Sequence, residues 1–253
     1  MTISVVPHSA YACTREQLLK CAEMADEYGA PLHTHLSETL DETETVVAQT
    51  GMRPVAYLES LGLLTTKMVA VHCIHINSNE MGLLAERGVS VSHTPQSEMK
   101  LASGVARIPD MLALGLTVGL GTDGVASNNI LDIFEEMKAA ALLHKVTTGD
   151  PTVMDARTVC RMATIEGARA LGMGNEVGSL EPGKVADVIL VHLDSPHTVP
   201  CSNPFSHVAY VLRGGDVATV IIGGRTIMLD RQVLTVDEEA AIRDVQDLQE
   251  LLG

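Results

Sequence analysis

The stretch Leu32-His33-Thr34-His35-Leu36-Ser37-Glu38-Thr39 puts two histidines one residue apart and a glutamate three residues after the second. Gly29-Ala30-Pro31 stands in front as a turn signal, behind a helix-like run. Pro31–Leu36 therefore reads as a short strand with His35 at its end and Glu38 on the turn that follows. Imidazole and carboxylate at the C-terminal end of a strand are the parts from which metal-assisted hydrolytic sites are built.

The same pattern recurs on both sides. Ile3-Ser4-Val5-Val6 runs into Pro7-His8, Met68-Val69-Ala70-Val71 into His72, Val89-Ser90-Val91-Ser92 into His93, and Leu116–Thr122 into Asp123. Between these strands lie helical patterns. Thr14 and Gln17 form a capping box ahead of a stripe of Leu18, Leu19, Ala22 and Ala25. Asp41–Gln49, Arg53–Ser60, Asn77–Arg87, Ile108–Ala113, Ile130–His144 and Ala156–Leu171 carry a helical period. Strand and helix alternate at the ~30-residue spacing of a βαβ unit. Strands this apolar belong to a parallel sheet covered on both faces. Functional side chains gather at the C-terminal ends of such strands, which here carry His8, His35, His72, His93 and Asp123. After Gly172 the pattern changes. Val185–His192, Val208–Leu212, Val217–Ile222 and Arg225–Leu229 read as strands joined at Gly214-Gly215 and Gly223-Gly224, and Asp237–Leu252 as a closing polar helix. Residues 1–172 thus form one α/β domain and 173–253 a small β-module.

Composition narrows the function classes. Of 253 residues 46% are hydrophobic and 19% charged, enough for a globular core, but only 2% are aromatic, so that core is aliphatic and rich in the 12 methionines. A net charge of −15 disfavours a grip on nucleic acid or an anionic membrane. No apolar run reaches membrane-spanning length, and the start at Met1-Thr2 has no basic leader. Cys13, Cys21, Cys73, Cys160 and Cys201 are odd in number and never form a CxxC, as expected of reduced thiols in a cytoplasmic protein.

A lone histidine is more often a hydrogen-bonded core residue than a ligand, but company at the other strand ends favours His35 and Asp123 as metal ligands. His33 shares a strand face with His35 and is either a ligand or support from below. Glu38, on base rates a solvated glutamate, stands where it can hold or donate a proton beside a metal. His72 can orient a metal-bound hydroxide or polarise the bond being attacked. His75 lies past its strand, His93 reads as a loop cap, and His144, His192, His197 and His207 read as structural. Gly119-x-Gly121-x-x-Gly124 matches a dinucleotide fingerprint, but no ribose-binding acid follows on a second strand, and Asp123 inside the loop would repel a pyrophosphate. These glycines read instead as a tight turn that aims Asp123.

Taken together, Pro7-His8-Ser9-Ala10-Tyr11, His33-Thr34-His35-Leu36-Ser37-Glu38-Thr39, Val71-His72-Cys73, Ser92-His93-Thr94-Pro95, Gly119–Gly124 with Ser127-Asn128-Asn129, and Gly178–Asp187 are familiar. Over nearly its whole length the chain resembles the amidohydrolase superfamily, and within it the 5-methylthioadenosine/S-adenosylhomocysteine deaminase group, neighbour to atrazine chlorohydrolases and guanine deaminases. The resemblance implies a TIM-type (β/α)8 barrel, of which this chain carries the fourth to eighth strands, followed by part of a small β-sandwich. It implies one Zn2+ per site, with Fe2+ as the alternative, held by His35 and Asp123. Asp123 would also take a proton from the attacking water and pass it to the leaving ammonia. Glu38 would protonate the purine ring nitrogen, His72 would steady the hydroxide, and His8 would contact the substrate on its ribose side. The implied activity is hydrolytic deamination of an adenine nucleoside thioether. The alternatives are an aminohydrolase or chlorohydrolase acting on a guanine or triazine ring, or an inactive chain that works only in assembly.

The sequence departs from the pattern twice. The family's His-x-His on the first barrel strand has no counterpart before His8, and His33-x-His35 stands in the fifth-strand context. Gln96-Ser97-Glu98 carries a glutamate where relatives often have asparagine. A barrel begun at its fourth strand leaves open sheet edges, so the expected partners, besides a small-molecule substrate, are a second copy or a completing chain.

Overall fold

The computed structural model describes residues 3–252. Met1, Thr2 and Gly253, which carry the leader reading and the outer limits of the two expected domains, lie outside them. The opening stretch forms β1 (Leu32–Leu36), preceded by α1 (Arg15–Glu27) and followed by α2 (Leu40–Thr50) and α3 (Pro54–Ser60). Next come β2 (Met68–His72), α4 (Ser78–Arg87), β3 (Ser90–His93), α5 (Pro95–Lys100), α6 (Ile108–Ala113) and β4 (Val118–Leu120). α7 (Val125–Asn128) and α8 (Ile133–Thr148) follow, then α9 (Ala156–Arg161) and α10 (Gly167–Ala170), with a π turn at Met162–Glu166 between the last two. All four strands are parallel, in the order β1-β2-β3-β4.

Local chemistry sets the boundaries. Thr14 caps α1 in the expected box, its hydroxyl accepting from Gln17 N while the Gln17 side chain accepts from Thr14 N. Asn77 and Glu80 do the same for α4. Ile3–Val6 is less regular than its composition suggests. It runs parallel beside β1 through isolated bridges, Val5 to Leu32 and Ser9 to His35, with His33 N donating to Val5 O and His35 N to His8 O. The segment still delivers His8 to the end of β1.

The two faces of this sheet differ, where the apolar strands predicted cover on both. Leu32, Leu36, Met68, Ala70, Val91 and Val118 point to one face and are buried, in a core shared with Leu18, Val46, Leu58, Leu84, Met111 and Met137 of the helices. Each such Leu or Met contributes about 1.5–3 kcal/mol by leaving water. The opposite face carries His33, His35, Val71 and Ser92, all only half-buried. Gly119 lies on that face too, where an added Cβ would stand 3.0 Å from Gly167 Cα. The helical segment after α8 crosses β4 by this close approach.

The tail forms a four-stranded antiparallel meander of β5 (Val188–Val191), β6 (Val217–Ile222), β7 (Arg225–Leu229) and β8 (Gln232–Val233). Val208–Leu212 is not a strand. Asn203 caps α11 (Pro204–Tyr210), its side chain accepting from Ser206 N, with Pro204 at the first helical position. The cap overrides the β-branched composition. Gly214–Asp216 is a 3-10 turn rather than a hairpin, while Gly223-Gly224 does close the β6–β7 hairpin. Asp132 ties the tail to the first region, capping α8 through Phe134 N and accepting from Gly214 N at 2.8 Å. The closing helix is α12 (Glu238–Leu252). Among the described residues no helix is long and apolar enough to cross a membrane.

Candidate active site

The C-terminal ends of β1, β2 and β4 converge on a cavity of about 320 Å3 lined by His33, His35, Val71, Ser92, Thr94 and Asp123. The backbone is bent sharply there. Ser37, His72, Cys73 and Asp123 all take positive φ, between 51° and 71°. Non-glycine residues adopt this conformation only where surrounding structure holds them.

His35 comes first, because its ring is already oriented. Nδ1 lies 2.7 Å from the His8 carbonyl oxygen, an acceptor, so Nδ1 carries the proton and Nε2 keeps its lone pair. That is the state of a metal-ligating imidazole, whose other nitrogen donates to a carbonyl or carboxylate. The exposed His8 ring lies 4.7 Å from that of His35 and meets Tyr11 edge-on at 5.8 Å, at the mouth of the site.

Asp123 is held from three sides. Oδ2 accepts from Ser97 Oγ at 2.6 Å and Ser127 Oγ at 2.7 Å, and Oδ1 from Gly124 N at 2.7 Å. Burial pushes the carboxyl upward, but these donors and the nearby His72 outweigh it, and Asp123 sits below the usual carboxylate range. The glycines around it act differently from the sequence reading. Asp123 itself takes the left-handed turn, while Gly121 makes room, since a Cβ there would meet Ser92 Oγ at 2.9 Å.

His72 is 1% exposed and stacks on His35, ring centroids 5.4 Å apart. Nδ1 lies 2.9 Å from Thr94 Oγ1 and 3.5 Å from Glu98 Oε1, so the hydroxyl is its hydrogen-bond partner and the carboxylate a neighbouring charge. Burial pulls the ring's pKa down; Glu98, Glu38 and Asp123 together more than restore it, leaving it raised. Nε2 is buried, has no hydrogen-bond partner, and lies 3.7 Å from Glu38 Oε2. A buried polar atom without a protein partner is the kind of atom that a water, an ion or a catalytic role accounts for.

Glu38 is fixed through its backbone. The buried Glu42 carboxylate accepts from Ser37 N at 2.9 Å and Glu38 N at 2.7 Å. The Glu38 side chain accepts from Ser103 Oγ at 3.2 Å. His75 stands outside the cavity yet holds this loop, Nε2 donating to Ser103 O at 2.7 Å. His33 lies one step below His35 and also borders a larger cavity of about 730 Å3 against Met162 and Gly167. Burial keeps its pKa low.

Behind the strand ends lies a polar seam that the sequence reading missed. His93 and Glu98 are fully buried, with His93 Nδ1 donating to Glu98 Oε1 at 3.3 Å and the His93 and His144 Nε2 atoms 3.0 Å apart. His93 is thus no simple loop cap, and His144 has a partner. Burial and the nearby His93 push His144 down to about 3. Glu136, also fully buried, accepts from Asn128 Nδ2 and Gln96 N, and burial pushes it up to about 7. His197 and His207 serve the tail, pairing with Asp216 and Thr198 O, while His192 is exposed.

Among the described residues no three His, Cys, Asp or Glu side chains stand together as a complete metal cage. His35 and Asp123 fit a metal as members of a ligand set, by tautomer and by ionisation. They are two donors where a catalytic zinc takes three from protein.

Known proteins resemble this chain over nearly its whole length. A 5-methylthioadenosine/S-adenosylhomocysteine deaminase of Syntrophobacter fumaroxidans is 49% identical over 244 residues, covering 96% of this chain and 56% of that protein. A 5'-deoxyadenosine deaminase of Methanothermobacter thermautotrophicus is 46% identical over 94% of this chain and 55% of its own length. The crystal structure of an adenosine deaminase from Xanthomonas campestris with bound zinc superposes with a TM-score of 0.95 at 38% identity, over 98% of this chain and 56% of that one. The chain therefore spans a little more than half the length of the relatives it matches. Its residues 1–227 match the amidohydrolase family model, and the chain belongs to the amidohydrolase family.

Proposed function

We propose that this chain carries the proton-transfer side of a metal-dependent adenine-nucleoside deaminase, with a 5-methylthioadenosine or S-adenosylhomocysteine type of substrate. Residues 1–172 form a sector of a (β/α)8 barrel and residues 173–253 part of a β-sandwich. The observation that carries the reading is the pairing, in one cavity, of a histidine whose Nε2 is freed by a backbone hydrogen bond with an ionised, fully hydrogen-bonded aspartate.

His35 and Asp123 hold one divalent ion, Zn2+ or Fe2+, and the remaining donors come from a completing chain segment or a second copy. When bound, the ion activates water and stabilises negative charge developing on oxygen. Asp123, kept ionised by its hydroxyl donors, accepts the proton of the attacking water and passes it to the departing amino group. Glu38 gives its proton to the ring nitrogen of the purine. His72, aimed through Nε2 toward Glu38, steadies the oxygen that adds to the ring carbon. His8 meets the substrate at the mouth. One water is consumed: its first proton leaves with the ammonia, its second returns to Glu38 as the carbon–nitrogen bond breaks, and the products are the inosine analogue and ammonia.

Ammonia release tests the assignment. The chain is supplied with zinc, together with the part of the Syntrophobacter relative that it does not span, and offered 5-methylthioadenosine, S-adenosylhomocysteine, guanine and a triazine. Release from the two adenine nucleosides and not from the other rings is expected. Alone, with two donors, the chain should bind zinc substoichiometrically and turn over weakly. A fully zinc-loaded complex that acts on guanine or the triazine instead would replace this substrate assignment.

A further inference from the structure

Glu98 sits fully buried directly behind His72, its Oε1 3.5 Å from His72 Nδ1. Its Oε1 receives Thr94 N at 3.2 Å, Thr94 Oγ1 at 3.3 Å and His93 Nδ1 at 3.3 Å. We propose that Glu98 is a positioning residue that acts through Thr94 to fix the neutral His72 ring as its Nδ1–H tautomer, leaving the Nε2 lone pair facing Glu38.

Proton accounting leads there. An ionised carboxylate only accepts, and a threonine hydroxyl has a single proton to give. Three donors converge on Glu98 Oε1, from Thr94 N, Thr94 Oγ1 and His93 Nδ1, and that convergence favours the ionised carboxylate. Thr94 gives its proton to Glu98 Oε1, so toward His72 Nδ1, at 2.9 Å, its oxygen can only accept. Nδ1 must therefore carry the ring proton. Without the carboxylate the hydroxyl is free to rotate and donate to Nδ1, and the ring proton moves to Nε2. The same accounting makes His93 a donor through Nδ1, which leaves its Nε2 to pair with His144.

Stability alone does not account for this glutamate. Its Oε2 is buried with no hydrogen-bond partner, an arrangement that weakens a fold. Glutamine or methionine would fill a similar volume without burying a charge. What these lose, methionine entirely and glutamine in charge only, is the acceptor that dictates Thr94's direction.

Nitrogen NMR on the purified chain tests this directly. The chain is labelled with 15N-histidine, and its ring nitrogens are read at a pH high enough to leave His72 neutral. The wild type is expected to show a protonated Nδ1 and a bare Nε2 on His72. E98Q, which keeps an oxygen acceptor, should retain that pattern, and E98M should shift the proton toward Nε2. A wild-type ring protonated at Nε2, or an E98M ring indistinguishable from wild type, overturns the proposal. Should E98M not fold, the wild-type spectrum decides alone. A second arm rests on the deaminase reading: in the completed, zinc-loaded enzyme E98M should lower kcat about 10–100-fold with little change in KM, and E98Q much less. The ring spectrum does not depend on turnover, so a chain that never deaminates adenine nucleosides leaves the tautomer result standing, and an unaffected kcat in an active enzyme removes the catalytic consequence alone.

Discussion

The two sheets of this chain treat their exposed parts in opposite ways. At the C-terminal ends of β1, β2 and β4 the candidate functional groups are polar, and each is tied to an element distant in sequence: His35 to His8, His72 to Thr94, Glu38 to Ser103, Asp123 to Ser97. In the antiparallel tail the exposed groups are aliphatic, with Ile189, Leu190, Ile222 and Leu229 each about half accessible. Polar groups held rigidly against a cavity are suited to chemistry, because their geometry need not reorganise as charge develops. Exposed aliphatics on a sheet contribute packing surface. The parallel end should therefore govern activity with little effect on folding, and the tail should do the reverse.

The sharpest way to break this contrast is at Asp123. D123N keeps the side chain's size and can keep an oxygen toward Ser97 and Ser127, but it removes the charge and the acceptor for Gly124 N. In the completed enzyme it is expected to cut kcat by about 10²–10⁴-fold, the range for losing a proton-transfer group, and to lower zinc content, with the melting temperature little changed. Retained turnover would place the chemistry elsewhere. E38Q comes next, with a loss of about 10²-fold in kcat and unaltered zinc. An E38Q protein that lost zinc as well would make Glu38 a ligand rather than a proton donor.

The seam behind the site offers a thermodynamic test. Glu136 has a folded pKa of about 7, against an unfolded value of about 4.3. The folded state therefore binds the extra proton between those values, and the stability Glu136 contributes below that window is lost as pH rises through it. Replacing it with glutamine should make the protein more stable at alkaline pH, by up to about 3 kcal/mol, with the difference vanishing toward acid. His144, held down to about 3, acts in the opposite sense, its contribution being lost as pH falls from about 6.5. Denaturant unfolding across pH on wild type and E136Q checks the sign for Glu136. Parallel curves at every pH would mean Glu136 is not protonated in the fold. The smallest effect belongs to the contact between α9 and the tail. Arg157 lies 4.2 Å over the Phe205 ring, and R157Q should cost about 0.5–1 kcal/mol, or a few degrees of melting temperature, without touching zinc or turnover.

What could be read from the sequence follows the range of the forces involved. Met68–His72 was legible to the residue because an apolar run closed by a polar one is a local signal. So was α1, from Thr14 and Gln17. Val208–Leu212 misled because its β-branched residues speak for a strand, while the deciding cap lies upstream at Asn203-Pro204. In the site, His35, His72 and Asp123 stood out as strand termini. Ser97, Thr94 and His144 did not, because their roles exist only through partners 22 to 51 residues away. Glu98 stands on α5, and its place between two histidines follows from a turn after β3 that no pattern announced.

The most direct test of the central claim is the position of the metal. Anomalous scattering from zinc-loaded crystals of the completed protein should place one zinc with His35 Nε2 at about 2.0–2.1 Å and an Asp123 oxygen at about 2.0–2.2 Å. The His35 Nδ1 to His8 carbonyl hydrogen bond should remain intact. A zinc bound elsewhere, or a His35 ring turned to coordinate through Nδ1 with that bond broken, would contradict the account.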